Sequence, residues 1–506
     1  MNVGYGIGAV VLVSLATLAI GTWGLRFSRT TSDFFVASRS VRPGLNAGAI
    51  SGEYLSGASF LGVGGLVLAF GGEMLWYPVG WTAGYLVLLV FVAAPLRRSG
   101  AYTLPDFAEA RLASRRVRAL SSVLVVAIGW LYLLPQFQGA GVALRTVTGM
   151  SPWAGSLIVA VVVLANVLAG GMRSITFVQV FQYWLKLTAL LVPLAFLVIV
   201  WIHDGGQSPA AASVVVDGLN GTDWANPLAI DGDHPLYTTY SLMLATFLGV
   251  MGLPHVVVRY YTNRDGRAAR KTTLIVLALL GAFYVLPPVY GALGRLYAPD
   301  LAGGQADSVI LELPQRMVGG VGGDLLTALL TAGAFAAFLA TSSGLTIAVA
   351  GVVSQDVTSR RLDGVTAFRV AAVIAVLVPF VLAFAARDLA VATVVGLAFA
   401  MAAATFAPLL VLGIWWRGLT AAGAASGMVV GGGLTGFAVV DNLVSDRTSG
   451  WYAALVDQPA AWAVPISVAT MVVVSRFTRP PSTSHVNRFL VRLHTPEDVA
   501  LDRSSP

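Results

Sequence analysis

Cysteine is absent from the 506 residues, and Asp, Glu, Lys and Arg together make up only 11% of them. The missing thiols exclude a disulfide scaffold and a thiolate metal centre. An ordinary soluble domain carries about 25% charged residues, so a chain with less than half that density does not read as a soluble enzyme. No GxxxxGK[ST] loop is present, which excludes a built-in nucleotide-driven motor, and no His, Cys and Asp cluster suggests a redox or metal enzyme. No helix has the arginine density of a voltage sensor, no long basic run suits nucleic acid, and polar low-complexity sequence is confined to 477–506. With nucleotide chemistry gone, an ion or proton gradient is the energy source left for work across a membrane.

Apolar sequence fills the chain instead, at 57%. It comes in runs long enough to cross about 30 Å of hydrocarbon as helices. Turn and charge signals divide it into thirteen candidate spans: 4–25, 43–70, 74–96, 118–147, 152–171, 175–202, 236–258, 271–294, 322–355, 367–386, 389–415, 418–440 and 458–475. The chain therefore reads as an all-α polytopic membrane protein with about 13 transmembrane helices. Span 1 lacks a basic segment ahead of it and is too long for a signal-peptide core. Of the 31 basic residues, 25 fall in the C-terminal tail or in, or within three residues of, the loops after spans 1, 3, 5, 7, 9 and 11. By the positive-inside rule this predicts a multi-pass protein of the cytoplasmic membrane, with the N-terminus outside and the C-terminus cytoplasmic. Loop 203–235, acidic and without a basic residue, is expected outside.

Transport needs polar groups at membrane depth, and few are present. Span 2 contains Ile50-Ser-Gly-Glu-Tyr-Leu-Ser-Gly57, with Glu53 the only acid well inside any span. Glycine destabilises a helix interior by about 1 kcal/mol relative to alanine, so this cluster predicts a discontinuous helix whose carbonyls can meet a cation. Close packing between helices would use the same glycines. Span 7 carries Gly249, Gly252, Pro254 and His255, where the proline leaves a carbonyl without its partner. A plain proline kink is the alternative, and His255 reads either as a helix-end packing residue or as a proton carrier. Span 9 places the hydroxyls of Thr341, Ser342 and Ser343 together, hard oxygens suited to an alkali cation. On span 6, Gln179, Gln182, Tyr183 and Lys186 share one helical face that must meet protein or water. Lys186 could neutralise a substrate carboxylate, carry a proton, or pair with Glu53. Of Gln136 and Gln138 on span 4, about 200° apart on a helix, at most one is expected to line a cavity.

These segments are similar to those of a known family. Ser32-Asp-Phe-Phe-Val-Ala-Ser-Arg39, Ala49 to Gly62, Tyr102-Thr-Leu-Pro-Asp-Phe107, Gly170 to Gln179, Gly252-Leu-Pro-His255 onward to Thr262, and Ala268 to Lys271 resemble the sodium:solute symporter family, in its cation/acetate (monocarboxylate) branch. The resemblance implies a leucine-transporter-like core of 5+5 inverted repeats. Its organisation would be span 1 and its loop at 1–42, a first repeat at 43–203, an external loop at 204–235, a second repeat at 236–416, spans 12 and 13 at 417–476 and a cytoplasmic tail at 477–506. It further implies a sodium site built from the main chain of Gly52, Leu55 and Ala337 and from hydroxyl positions at Ala340 and Thr341, with Ser342 adjacent. Ala340 has no hydroxyl, and the acid that many relatives carry on span 6 is Gln179 here. Relatives of the fold can replace sodium by a lysine ammonium, which makes Lys186 a candidate. Glu53, Ser56, Gly57, Gln136, Gln179, Lys186, Gly249 and Gly252 are the candidates for substrate binding or coupling.

The expectation is thus a transporter and not an enzyme: a symporter that imports a small carboxylate (acetate, propionate or pyruvate) with Na+ or H+. Its partners would be that carboxylate, the coupling ion and the lipid bilayer, with no cofactor and no nucleic acid. A Na+-coupled symporter of a neutral solute such as proline or a sugar, and an ion channel, are the competing readings.

Overall fold

The computed structural model describes residues 2–24, 39–210, 221–228, 234–357, 364–385, 391–445, 449–479, 481–497 and 499. Segment 32–38 of the motif before span 2 lies outside the described residues. Among those described, ten helices are long and apolar enough to cross a membrane, and one further pair passes together across a 45° bend. Two of the ten are interrupted at a glycine in a left-handed conformation. Pro152–His203 would reach ~78 Å at 1.5 Å per residue, more than twice the hydrocarbon thickness. It is interrupted at Gly171 (φ 58, ψ −160), where only glycine is comfortable, and this separates spans 5 and 6. Ala58–Phe91 likewise turns at Gly71 (φ 84) through the 3-10 turn Gly71–Leu75, which separates spans 2 and 3. With these breaks and the bent pair, the segments are the thirteen expected from the sequence.

Spans 2 and 7 are broken, each for a local reason. In span 2, Pro43–Tyr54 ends at Leu55 (φ −71, ψ 85), and the chain resumes as the π turn Ala58–Gly62 before Val63–Phe70. In span 7, Pro235–Gly252 stops at Leu253 (φ −71, ψ 119), and Pro254 opens the short helix Pro254–Tyr260, where its missing N–H costs nothing. Spans 4 (Arg115–Thr148) and 9 (Gly320–Asp356) are the long third helices counted from the two breaks. Span 9 packs along spans 6 and 4, and span 7 packs along spans 11 (Val391–Trp415) and 3. This is a multi-pass α-helical bundle with two broken helices at equivalent positions of its two halves.

The connections sort onto two ends. At one, Arg39 donates to Gly100 O (2.6 Å), Arg97 donates to the carbonyls of Asn263 and Arg264, Arg118 meets Asp106, Glu109 and Asp356, and Arg111 donates to Gly413 O (2.8 Å). These contacts join the basic loops predicted to share a side. The tail helix Thr483–His494 lies across the same end, burying Val486, Phe489, Leu490 and Leu493. At the other end Asn2 meets Asp324, Trp76 meets Pro227, Tyr297 meets Asp204 and Ser241 meets Gln458. Among the described residues, Asn2 and the helix Thr483–His494 therefore sit at opposite ends of the bundle.

The motif Thr103-Leu-Pro-Asp106 has a structural purpose. Thr103 accepts from Asp106 N, and the Asp106 carboxylate accepts from Thr103 N at 3.0 Å, a capping box that starts the helix Leu104–Leu112.

Candidate functional site

The break in span 2 frees carbonyls at Gly52, Glu53 and Leu55, and each finds a side chain from another span. Lys186 Nζ donates to Gly52 O at 2.5 Å and to Leu55 O at 2.6 Å. Thr341 Oγ1 donates to Glu53 O at 2.5 Å. Gly52 explains why span 6 comes so close: a Cβ there would stand 2.0 Å from Gln179 O. The glycine thus serves both of its sequence readings, close packing and a broken helix.

Lys186 lies ~22 Å along the helix from the Gly171 break at 1.5 Å per residue, deep in the bundle, and is 0% exposed. A lone ammonium at bilayer depth costs about 2.5–3.5 kcal/mol on an insertion scale. Each hydrogen bond from a charged donor contributes about 1.5–3 kcal/mol, so two of them offset that cost. The bridge from Lys186 to Glu53, one of three sequence readings, is not the pairing adopted.

Glu53 pairs with Arg259 instead, Oε2 to Nε at 2.7 Å, with the two side chains 2% and 1% exposed. Arg259 also donates to Thr176 Oγ1 at 2.9 Å and to the Gln179 side-chain oxygen. Gln179 returns a bond from its nitrogen to Ala340 O at 3.1 Å. One buried network therefore ties span 2, the second half of span 7, span 6 and span 9 together. The span bounds drawn from the sequence, 236–258 for span 7, leave Arg259 among the loop residues that follow. Its flanks, Val256-Val-Val and Tyr260-Tyr261, are apolar on both sides, and that was the available signal that it lies within a buried helix.

The remaining candidates are distributed around this centre. Gly57 N donates to Gln136 Oε1 at 3.2 Å, and a Cβ at Gly57 would stand 2.0 Å from the Phe338 ring. Gln136 is fully buried and Gln138 is not, so Gln136 is the member of that pair turned to the break. Ser56, Ala337, Ala340 and Ser342 are all buried. Ser342 Oγ has no hydrogen-bond partner among the described residues. Gly249 and Gly252 press on span 11, where a Cβ would stand 2.7 Å from Phe399 O and 2.4 Å from Ala402 O, respectively. They let span 7 approach span 11 and do not turn toward span 2.

A second feature was not legible in the sequence. Tyr54, Trp81, Tyr132 and Phe399 from four spans close around the breaks, with Phe399 5.8 Å from both Trp81 and Tyr132. His255 stands edge-on to Tyr132 at 5.4 Å and is 0% exposed. Neither of its ring nitrogens has a hydrogen-bond partner among the described residues. A narrow cleft lined by Gly57, Leu61, Gly139, Asp307 and Phe338 among others reaches the same break. Among the described residues no group of three His, Cys, Asp or Glu could hold a metal ion, so any bound cation there would rely on carbonyls and hydroxyls.

Comparison with known proteins agrees with this architecture. A solved structure described as the substrate-bound outward-open state of a Na+-coupled sialic acid symporter superposes with a TM-score of 0.70 at 14% identity, covering 94% of this chain and 98% of that one. A nucleobase-cation-symport-1 family transporter in a closed conformation with bromovinylhydantoin bound gives a TM-score of 0.54 at 14% identity, covering 92% and 99%. At these identities the likeness is one of fold. The uncharacterized symporter YwcA of Bacillus subtilis (strain 168) is 32% identical over 458 residues, which is 86% of this chain and 85% of that protein. The pattern of the sodium:solute symporter family matches residues 34–431. A polytopic bundle with paired broken helices, a carbonyl cradle at one of them and this extent of sequence agreement has one assignment: the chain belongs to the sodium:solute symporter family.

Proposed function

We propose that the protein is a secondary active importer of a small monocarboxylate such as acetate, propionate or pyruvate, moved together with Na+ or H+ by alternating access. The repeats 43–203 and 236–416 are the halves that rock against each other, and the basic end carrying the tail is cytoplasmic. The positive charge that drives coupling, whether an ion or a proton-bearing side chain, acts at the contact of spans 2 and 9, around Gly52, Leu55, Ala337, Ala340, Thr341 and Ser342. The anion docks between the two breaks, approached past Gly57 and Gln136 and held by Ser56, Tyr132 and His255. The Glu53, Gln179 and Arg259 network closes the cytoplasmic side, and the glycines at 249 and 252 are the sliding contact with span 11.

One observation carries the choice of substrate class. His255 is a buried imidazole at a helix break, edge-on to Tyr132, and neither ring nitrogen has a hydrogen-bond partner among the described residues. A buried polar group without a partner is costly, and a carboxylate oxygen would satisfy it.

Purified protein in liposomes tests the proposal by uptake of labelled acetate under an imposed sodium gradient, then under a proton gradient alone, each compared with protein-free vesicles. Acceleration by either gradient supports it. No acceleration by either refutes the substrate reading.

A further inference from the structure

The oxygen cradle that the family resemblance assigns to sodium does not have the form sodium needs in this chain. Two of its carbonyls, Gly52 O and Leu55 O, already receive the Lys186 ammonium at 2.5 and 2.6 Å. Its first hydroxyl position is Ala340, which has no side-chain oxygen and whose carbonyl is bonded by Gln179. The remaining hydroxyl, Thr341, spends its proton on Glu53 O, joining spans 9 and 2 directly. A hard cation asks for several oxygens at once, and a second positive charge placed within bonding distance of an ammonium is repelled by it.

From this geometry we infer that Lys186 is a tethered cation that replaces sodium at the contact of spans 2 and 9 and excludes the ion from it. The ammonium bridges the two carbonyls on either side of the break, as a bound ion would, but it is attached to span 6 through its side chain. Gly52 makes this possible by admitting the span 6 backbone, and the four-carbon stem then carries Nζ along the helix to the cradle. The consequence is specificity: the contact that holds the broken helix is formed without sodium, in a chain where position 340 carries no hydroxyl.

This inference rests on the cradle being the coupling position of the proposed symporter, but its test needs no substrate. Binding of radioactive sodium to the full-length protein in detergent is measured with competition by unlabelled sodium or choline. In the wild type, Thr341→Val is expected to leave any sodium binding unchanged. The double replacement Lys186→Ala with Ala340→Ser opens the cradle and restores the hydroxyl, and is expected to bind one more equivalent of sodium than the wild type. It should also melt at a higher temperature in sodium than in choline. Sodium bound by the wild type and lost in Thr341→Val would overturn the inference, as would a folded double variant that gains no sodium. If the double variant fails to fold, the Thr341→Val comparison still decides. Failure of acetate uptake would refute the substrate reading and leave this result standing on its own measurement.

Discussion

Arg259 and Glu53 form an ion pair 2.7 Å long between the second half of span 7 and the break in span 2, 206 residues apart in the chain and out of reach of water. Each stands on the broken helix of its own half, so the pair joins the two halves directly. Any movement of span 7 relative to span 2 must strain or release this contact.

Arg259→Met leaves the Glu53 carboxylate buried without its partner. Removing one member of a buried pair costs about 3–5 kcal/mol. Melting in detergent is expected to fall accordingly, and the double replacement with Glu53→Gln should recover much of the loss. A double variant as unstable as Arg259→Met alone would refute the coupling.

Gly57→Ala puts a Cβ 2.0 Å from the Phe338 ring. Overpacking of this kind costs about 1–3 kcal/mol. The obstructing atoms belong to a side chain, so Phe338→Leu in the same protein is expected to restore the melting temperature, and uptake shows whether the cleft still admits substrate.

His255→Phe keeps a ring against Tyr132 and deletes both nitrogens. Uptake of the monocarboxylate is expected to disappear while the melting temperature is held. Tyr132→Phe removes a single hydroxyl; a hydrogen bond to a charged group contributes about 1.5–3 kcal/mol, equivalent to roughly ten- to hundred-fold in apparent affinity. Unchanged concentration dependence of uptake in both variants would remove these residues from the carboxylate site.

The tail helix separates charge from packing. The Arg98 to Glu497 bridge spans 3.3 Å with side chains 8% and 29% exposed. Pairs in contact with water contribute at most about 1 kcal/mol, so Glu497→Gln should change little. Leu493 is fully buried beneath the same helix, and truncating a buried leucine costs about 2–5 kcal/mol. Leu493→Ala is therefore expected to release the tail to limited proteolysis, with Glu497→Gln remaining protected.

Both helix breaks could be read from sequence because their causes are local. Gly252 and Pro254 interrupt hydrogen bonding within one turn, and the Gly52 to Gly57 cluster weakens the helix it occupies. The stripe Gln179, Gln182, Tyr183 and Lys186 was legible for a similar reason: helical periodicity puts these residues on one face, and all four are buried. Arg259 was misplaced because a basic residue near a span end resembles a loop residue unless its apolar flanks are weighed. The aromatic wall is not legible in the sequence, because its members come from spans 2, 3, 4 and 11 and nothing in any single span marks them as neighbours.

Sequence alone established that this chain crosses a membrane many times, where it does so, which loops share an end, and which two helices are interrupted. Each of these follows from hydropathy, charge placement and backbone chemistry acting over a few residues. Tertiary structure decided the partners of the interrupted helix: Lys186 for the carbonyls of Gly52 and Leu55, and Arg259 for Glu53. Those pairings join residues 134, 131 and 206 positions apart, and only the packing of helix against helix sets which buried charge reaches which oxygen.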